Sequence, residues 1–445
     1  MSNITSIEEE IFIQRSPRSK ATYQKALKYL PDGVTRGTST EPYPLFWDKG
    51  EDQYIFDIDG IKRIDFFGNN SSLPFGHANA NIFKRVNEQI NKGVSFNAPH
   101  ESHIELAKIL CERIKSIESV RFTNSGTEAT MNCIHAARAF TGKSKVVKVD
   151  GAYHGIYDAV AYNTPGSISN SKNTYPTNNP SIPSMSESNQ NDVIIIPFNN
   201  PDIASEIIEK NKSDIAAVIV EPMMGGAGFI QAEKTYLQSI REITEKENII
   251  LIFDEVCSLR AGYGAGQGYF DIYPDLSAFG KSLGGGTPIG AFGGKKEIMD
   301  LYSKEELNRH VQHSGSFNGN PLSMVSGIAT FNQLTKPVYD HLDNIANKLR
   351  DGIKSVCAEF EVPVQVTGIG SLFCVHFNDN IILSSNDAAK NDKLRTQQVF
   401  LGLLNEGIWP SSNLLGAVSA TMTLENIDAY LNAVSYTHLT LPTKA

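Results

Sequence analysis

A lysine and an aspartate near the middle of the sequence have the types and the placement that carbonyl chemistry needs. Asp254 ends an apolar run that begins at Ile249, and Lys281 follows a second short apolar segment and precedes three glycines. Such runs are typical of buried strands, so both side chains are expected at the ends of neighbouring strands. A buried amine can form a Schiff base with a cofactor aldehyde, and a buried carboxylate can keep a proton on that cofactor's ring nitrogen.

Two common phosphate-binding patterns fail at Lys281. The segment 280–282, GKS, resembles the end of a P-loop, but Asp275 stands where that motif requires a glycine. The dinucleotide pattern G-x-G-x-x-G fails as well, because Gln267 occupies its third glycine position. A lone lysine is ordinarily a surface residue, yet the preceding strand and the nearby Asp254 weaken that interpretation.

A second group of candidates opens a helix. The segment 124–128, NSGTE, follows the strand SVRF. Unpaired amides and the helix dipole favour an anion at such a position, and Gly126 lets the backbone approach it closely. A phosphate fits there, although a plain N-cap at Ser125 explains the same residues.

Further polar residues follow other predicted strands and are expected at the same edge of the sheet. Tyr153 and His154 lie in GAYHG, and Glu221 ends the run IAAVIV. Ligands of open α/β sheets gather at the carboxyl ends of the strands, where an aromatic ring can stack on a flat cofactor. A core aromatic at Tyr153 and a structural cap at Asp254 remain the simpler alternatives.

The order of elements predicts how these residues are positioned. Short apolar strands alternate with amphipathic helices, which is typical of an α/β domain with a parallel sheet covered on both faces. We expect an N-terminal segment over 1–74 that is part of a small domain, and a large domain over 75–320. Residues 321–434 would complete the small domain. Residues 435–445 break the helical pattern and resemble a non-native tail.

One long stretch does not fit this alternation. Residues 163–192 are rich in Asn, Ser, Thr and Pro and contain few large apolar groups. The composition favours a disordered, passive surface loop. Because the stretch comes directly after GAYHG, a mobile lid is the alternative.

Composition excludes several classes of function. The chain has 445 residues, 40% of them hydrophobic, and a net charge of −9 without clusters of Lys and Arg, so nucleic acid is not an expected partner. No apolar run approaches the roughly 20 residues that cross a bilayer, and the acidic start is unlike a signal peptide. The cysteines are scattered and odd in number, which indicates neither a metal site nor disulfides and suits a cytoplasmic protein. They are Cys111, Cys133, Cys257, Cys357 and Cys374.

The motifs taken together resemble those of the class III aminotransferases, which use pyridoxal 5'-phosphate (PLP). The resemblance rests on NSGTEA, GAYHG, EP before a glycine-rich turn, DEV, FGKSLGGGTPIGAFGG and HSGSFNGNPLSM, in that order. Within the family the chain resembles most the branch of glutamate-1-semialdehyde aminomutase and the β-amino acid aminotransferases. This implies the fold type I of PLP-dependent transferases: a large PLP-binding domain with a mainly parallel central sheet covered by helices, and a smaller α/β domain from both chain ends.

The resemblance also implies roles for matching residues. Lys281 would hold PLP as a Schiff base and Asp254 would pair with the pyridine nitrogen. Tyr153 and Val256 would pack on the two faces of the ring, and Glu221 would be a further carboxylate of the site.

The phosphate group would have its own set of contacts. Ser125, Gly126 and Thr127 would hold it, helped by Ser316 of the partner subunit, so the resemblance implies a homodimer. The substrates would be a small-molecule amino donor and a 2-oxo acid acceptor, converted in two half-reactions in which the lysine amine transfers a proton.

Three departures from the aminomutases and one match to the β-amino acid aminotransferases indicate which branch the chain resembles. Asn70 stands where the aminomutases carry an aromatic residue, Leu414 stands where they carry a glutamate, and the turn 225–227, GGA, lacks their asparagine. Arg36 matches the arginine that binds a substrate carboxylate in the β-amino acid aminotransferases, a task that suits a guanidinium; a surface salt bridge is its alternative.

The sequence thus predicts an amino-acid aminotransferase, plausibly for β-amino acids. An aminomutase is the alternative. A non-catalytic PLP-binding homologue is disfavoured because Lys281 and Asp254 are both present.

Overall fold

The computed structural model of the chain describes residues 7–37, 42–169, 175–306 and 309–440. The strands are β1 Trp47–Glu51, β2 Tyr54–Asp57, β3 Lys62–Asp65, β4 Ser119–Thr123, β5 Lys145–Val149, β6 Val193–Ile196, β7 Ile215–Val220, β8 Met223–Met224, β9 Ile230–Gln231, β10 Ile250–Asp254, β11 Leu276–Gly280, β12 Gly290–Gly294, β13 Gln365–Thr367, β14 Leu372–His376, β15 Ile408–Trp409 and β16 Leu415–Ala417. The helices are α1 Ile7–Arg15, α2 Pro17–Ala26, α3 Gly68–Ser71, α4 Ala80–Ile90, α5 Glu101–Arg113, α6 Gly126–Thr141, α7 Glu187–Asn191, α8 Pro201–Asn211, α9 Lys234–Lys246, α10 Ala265–Phe270, α11 Lys296–Met299, α12 Pro321–Gln333, α13 Lys336–Glu359, α14 Ser385–Ala388, α15 Lys393–Asn405 and α16 Leu424–Thr440.

The central sheet confirms the α/β prediction. Within the described residues it has seven strands in the order β4-β12-β11-β10-β7-β5-β6. The neighbours β11-β10, β10-β7, β7-β5 and β5-β6 are parallel, whereas β12 is antiparallel to both β4 and β11. Strand β12 was not predicted, because its residues GAFGG are mostly glycine and lack the apolar character expected of a buried strand.

The middle strands are buried on both faces, which explains their uniformly apolar sequence. Every residue of β7 and of β10 is buried. Alternate residues point to opposite faces of a sheet. Accordingly, Leu251 and Phe253 join the core on one face, while Ile250 and Ile252 join the core on the other. Helices α8 and α9 pack on the first face and α6 packs on the second.

Both ends of the chain contribute to the smaller unit. The N-terminal strands β1, β2 and β3 form a sheet that β15 completes, with Ile408 opposite Ile64 in a parallel pairing. A second sheet contains β13, β14 and β16. Apolar residues of α1, α13, α15 and α16 form a common core over these strands.

Helix α12 belongs by its packing to the large unit. Met324, Ile328 and Phe331 share a core with Leu106 of α5 and Leu283, although the predicted large domain ends at residue 320. The domain division as a whole stays a prediction.

The C-terminal helix is longer than the sequence pattern indicated. Helix α16 continues to Thr440, so the expected break at residue 435 is wrong for residues 435–440. Thr437 is buried, and its hydroxyl donates to the carbonyl of Ala433. Residues 441–445 lie outside the described part, and the non-native origin of the tail stays a prediction.

The polar stretch 163–192 is hydrogen-bonded where the structure describes it, at 163–169 and 175–192, which contradicts a disordered interpretation there. Asn163 is buried; its amide nitrogen donates to Asp150 at 2.7 Å, and its amide oxygen accepts from the backbone of Asn179 at 2.7 Å. Polar side chains therefore replace the missing apolar core. The lid stays a prediction.

The described ranges show neither a membrane-spanning helix nor a metal-binding cluster. None of the helices there combines the length and apolar character that crossing a bilayer requires. Those ranges also contain no group of three His, Cys, Asp or Glu side chains that could hold a metal ion.

Candidate active site

The carboxyl ends of the central strands bring most of the predicted residues to one cavity. Asp254 ends β10 beside β11, and Lys281 directly follows β11. The cavity has a volume of about 1060 Å³. The predicted residues that line it are Arg36, Asn70, Gly126, Thr127, Tyr153, Glu221, Asp254, Val256 and Lys281.

Three predicted residues lie elsewhere. The hydroxyl of Ser125 caps α6 by accepting from the backbone of Glu128 at 3.2 Å, and it does not line the cavity. Leu414 is fully buried in the core of the smaller unit, while its neighbours Asn413 and Leu415 line the cavity. Ser316 is exposed and outside the cavity of its own chain.

Lys281 lies at the start of a 3₁₀ turn with a φ of 48°, a left-handed conformation that is strained for a residue with a side chain. Strain of this kind concentrates at functional sites. Its Nζ is 2.7 Å from the sulfur of Cys257, a contact that the sequence analysis did not predict. Burial lowers the pKa of the Lys281 ammonium, but the neighbouring acidic groups outweigh burial, so the pKa is raised overall. Those groups are Cys257, Glu221 and Asp254.

The partner of Asp254 is a histidine. Nδ1 of His154 lies 2.9 Å from Oδ2 of Asp254, and Oδ1 accepts from the backbone of Val256 at 3.1 Å. Burial lowers the pKa of His154, and the hydrogen bond to Asp254 only partly offsets this. We therefore assign a neutral imidazole that donates from Nδ1. His154 was visible in GAYHG beside Tyr153, but the sequence did not show that it reaches Asp254.

Glu221 connects two segments that line the cavity. Its two oxygens accept from the backbone amides of Tyr153 and Gly225, each at 3.0 Å. Burial, and then the charge of Asp254, raise the pKa of Glu221 to about 8. The side chain therefore holds the Tyr153 loop against the glycine turn.

The start of α6 forms a narrow cradle. A Cβ atom on Gly126 would lie 2.7 Å from a methyl carbon of Val256, so only glycine allows this approach. The first amides of a helix have no acceptor within it, and they favour an anion. Gly126 and Thr127 thus present backbone to the cavity beside Val256.

Arg36 reaches the cavity from the N-terminal segment. Its Nη2 donates to the side-chain oxygen of Asn69 at 2.9 Å. The loop that carries Asn69 and Asn70 is fixed by Asp65, whose Oδ1 accepts from the backbone of Phe67 and of Gly68, each at 2.9 Å. A cation and two amides therefore share one wall of the cavity with no carboxylate bonded to Arg36 in the described part of the chain.

The profile described as aminotransferase class-III matches residues 36–433, nearly the whole chain. The chain belongs to the class III aminotransferase family. It is 38% identical over 394 residues to glutamate-1-semialdehyde 2,1-aminomutase of Methanocaldococcus jannaschii, covering 88% of this chain and 90% of that protein.

Solved structures of this family superpose on nearly the whole chain. An omega-transaminase from Sphaerobacter thermophilus has a TM-score of 0.92 at 36% identity and covers 96% of this chain and 99% of its own. The β-phenylalanine aminotransferase of Variovorax paradoxus has a TM-score of 0.87 at 32% identity, with 96% and 95% covered. The chain therefore has the fold type I architecture that the sequence predicted.

The cofactor of this class III enzyme is PLP, and the residues of the cavity fit it. Lys281 would supply an amine for an aldehyde, and Asp254 would supply a buried carboxylate for a protonated ring nitrogen. The cradle at Gly126 suits a phosphate because its helix is 16 residues long and adds a dipole.

Proposed function

We propose that this enzyme transfers an amino group from an amino acid, in particular a β-amino acid, to a 2-oxo acid through a Schiff base on Lys281. One observation carries the proposal: Arg36 and Lys281 line the same cavity. A guanidinium binds a carboxylate through paired hydrogen bonds, and an amine within the same cavity can act on the substrate's amino-bearing carbon.

Each residue of the site has a proposed task in this reaction. PLP, when bound, withdraws electrons from the substrate carbon that bears the amino group. Lys281 Nζ then accepts the proton from that substrate carbon and holds it for the second proton transfer, which completes the half-reaction. Asp254 holds a proton on the ring nitrogen, and His154 keeps the Asp254 carboxylate oriented through Nδ1.

Binding of the cofactor is assigned to the remaining predicted residues. Tyr153 and Val256 confine the ring between them. Gly126 and Thr127 offer amides to the phosphate, and Ser125 keeps these amides in place by capping the helix. We further propose a cytoplasmic homodimer in which Ser316 of the partner subunit completes the phosphate site.

A glutamate-1-semialdehyde aminomutase is the second candidate, because relatives at 38% identity carry that name. Asn70, Gly225 and Gly226 line the cavity and depart from the aminomutase pattern. The third departure carries less weight, since the Leu414 side chain packs in the core.

The deciding experiment compares the two reactions with one preparation of the PLP-loaded enzyme. Amine transfer from 3-aminobutyrate or β-phenylalanine to pyruvate or 2-oxoglutarate is expected, with the new amino acid detected by chromatography. No transfer from these donors, together with isomerisation of glutamate-1-semialdehyde, would assign the chain to the aminomutases instead.

A further inference from the structure

A thiol lies beside the lysine that is proposed to hold the cofactor. The sulfur of Cys257 is 2.7 Å from Nζ of Lys281, and both residues line the cavity. The amino-transfer reaction gives this thiol no task. Two nucleophilic atoms at contact distance are, however, positioned to form a bond once an oxidant that enters the cavity has made the sulfur electrophilic.

The glycine turn after Glu221 fixes where the sulfur can lie. A Cβ atom on Gly225 would come within 2.4 Å of the Cys257 sulfur, so the sulfur fills the space that this glycine leaves. The turn is itself held, because the amide of Gly225 donates to Glu221 at 3.0 Å. The sulfur is therefore packed between a fixed turn and the Lys281 amine.

The charges around the pair affect its reactivity in opposite directions. Burial raises the pKa of the Cys257 thiol, and the adjacent Lys281 ammonium partly offsets this. When the proton of the pair resides on Nζ, Lys281 is an ammonium and Cys257 is a thiolate, which is the form that peroxide oxidises. Cys374, by contrast, is buried with its sulfur directed at the backbone carbonyls of Val375 and Asn413.

We propose that Cys257 and Lys281 form a reversible sulfur–nitrogen bond when hydrogen peroxide reaches the enzyme while the lysine amine is free. The thiolate attacks peroxide and the O–O bond breaks, so that sulfur loses two electrons and becomes a sulfenic acid. The hydroxide that leaves takes the proton of the Lys281 ammonium, which gives water and a neutral amine. Nζ then attacks the sulfur, the S–O bond breaks, and the hydroxyl leaves with a proton from nitrogen as water. Two equivalents of an added thiol reverse the link and end as a disulfide.

The link would switch the enzyme off, because a lysine bonded to sulfur has no amine for PLP. This consequence rests on the proposed role of Lys281, whereas the link itself does not. Bound PLP would protect the pair by occupying the amine.

The test uses the full-length protein with PLP removed, treated with hydrogen peroxide and digested with trypsin without reductant. Trypsin normally separates peptide 247–260, which contains Cys257, from 261–281. The link is expected to join 247–260 to 261–295, because a modified Lys281 is not cut, with the loss of two hydrogen atoms. Dithiothreitol should restore both the normal peptides and the binding of PLP, with the binding measured by absorbance.

Variants separate this link from ordinary oxidation. Cys257→Ser should give no joined peptide, whereas Cys111→Ser should give as much as the unaltered chain. In Lys281→Ala, Cys257 should gain oxygen instead. An unaltered chain in which Cys257 gains oxygen while trypsin still cuts at Lys281, or in which Cys257 does not react, would overturn the proposal whatever the amino-transfer assay shows.

Discussion

Nδ1 of His154 lies 2.9 Å from Oδ2 of Asp254, and both side chains are buried, with 1% and 4% of their surfaces exposed. An apolar replacement would leave a buried carboxylate oxygen without its donor, which costs about 1–3 kcal/mol. We expect His154→Phe to raise the dissociation constant of PLP roughly tenfold or more, measured by absorbance titration. His154→Asn, which retains a hydrogen-bond donor, should weaken PLP binding less. His341→Phe, at an exposed position, should leave the dissociation constant unchanged. Equal affinity in all variants would contradict the positioning role.

Removal of the Lys281 amine should abolish the covalent attachment of the cofactor. Lys281→Ala is expected to bind PLP without the visible band of the lysine-bound form, and to lose at least about 10²-fold in turnover as its proton carrier disappears. Lys296→Ala is the control, because that lysine is exposed and pairs with Asp300. Retention of the band in Lys281→Ala, seen by spectroscopy and by borohydride reduction, would show that another amine holds the cofactor.

The proton on Glu221 should make the stability of the PLP-free enzyme depend on pH. Its pKa is raised to about 8 in the folded chain from 4.5. A raised pKa means that the folded state binds the proton more tightly, so this stabilisation is complete below pH 4.5 and is lost as pH rises through about 8. The slope is about 1.4 kcal/mol per pH unit within that window.

Urea unfolding between pH 5 and 8 measures this effect. Glu221→Gln should flatten the fall of the unfolding free energy with pH, while Glu233→Gln, at an exposed position before α9, should leave the slope unchanged. The absolute stability of Glu221→Gln is not the readout, because an amide replaces one of the two oxygens that accept backbone bonds. An unchanged slope in Glu221→Gln would locate the titration elsewhere.

Arg36 should determine how strongly carboxylate-bearing donors bind. Loss of a charged hydrogen-bond donor costs about 1.5–3 kcal/mol, so Arg36→Ala should raise KM for β-amino acids roughly tenfold or more. An amine without a carboxylate, such as 1-phenylethylamine, should react equally well with both enzymes. Arg309→Ala, exposed and distant in sequence, is the control. An equal rise in KM for β-amino acids and for the amine without a carboxylate would indicate a structural role for Arg36.

The sequence predicted the sheet and the residues at its carboxyl edge because buried parallel strands leave a simple pattern. Uniformly apolar runs such as β7 and β10 are visible without any alignment, and the residue after each run must lie at the carboxyl edge. Asp254, Glu221 and Lys281 were found in this way.

Contacts between distant segments could not be predicted, because no local pattern encodes them. His154 and Asp254 are 100 residues apart, and Cys257 and Lys281 are 24 apart. Strand β12 was missed since its glycines make room for the backbones of its neighbours rather than supply apolar surface: a Cβ on Gly290 would lie 2.1 Å from the carbonyl oxygen of Ser125. Leu414 was expected in the substrate pocket from its place in a motif, but the motif did not reveal that its side chain packs in the core.

Ser316 provides the test of a site shared between two subunits. It is exposed in its own chain, whereas the side-chain oxygen of Asn318, two residues later, accepts from the side-chain amide of Asn124, directly before Ser125, at 2.7 Å. If Ser316 completes the partner's site, Ser316→Ala should weaken PLP binding roughly tenfold, because the phosphate would lose about one charged hydrogen bond.

Mixed dimers distinguish a serine that acts in the partner's site from one that acts within its own chain. In a dimer of one Lys281→Ala chain and one Ser316→Ala chain, a shared site combines an intact lysine from one subunit with an intact serine from the other. One site of each mixed dimer should then bind PLP covalently with unaltered affinity. A serine acting within its own chain would give no such site, and titration of differently tagged, co-purified chains decides between the two.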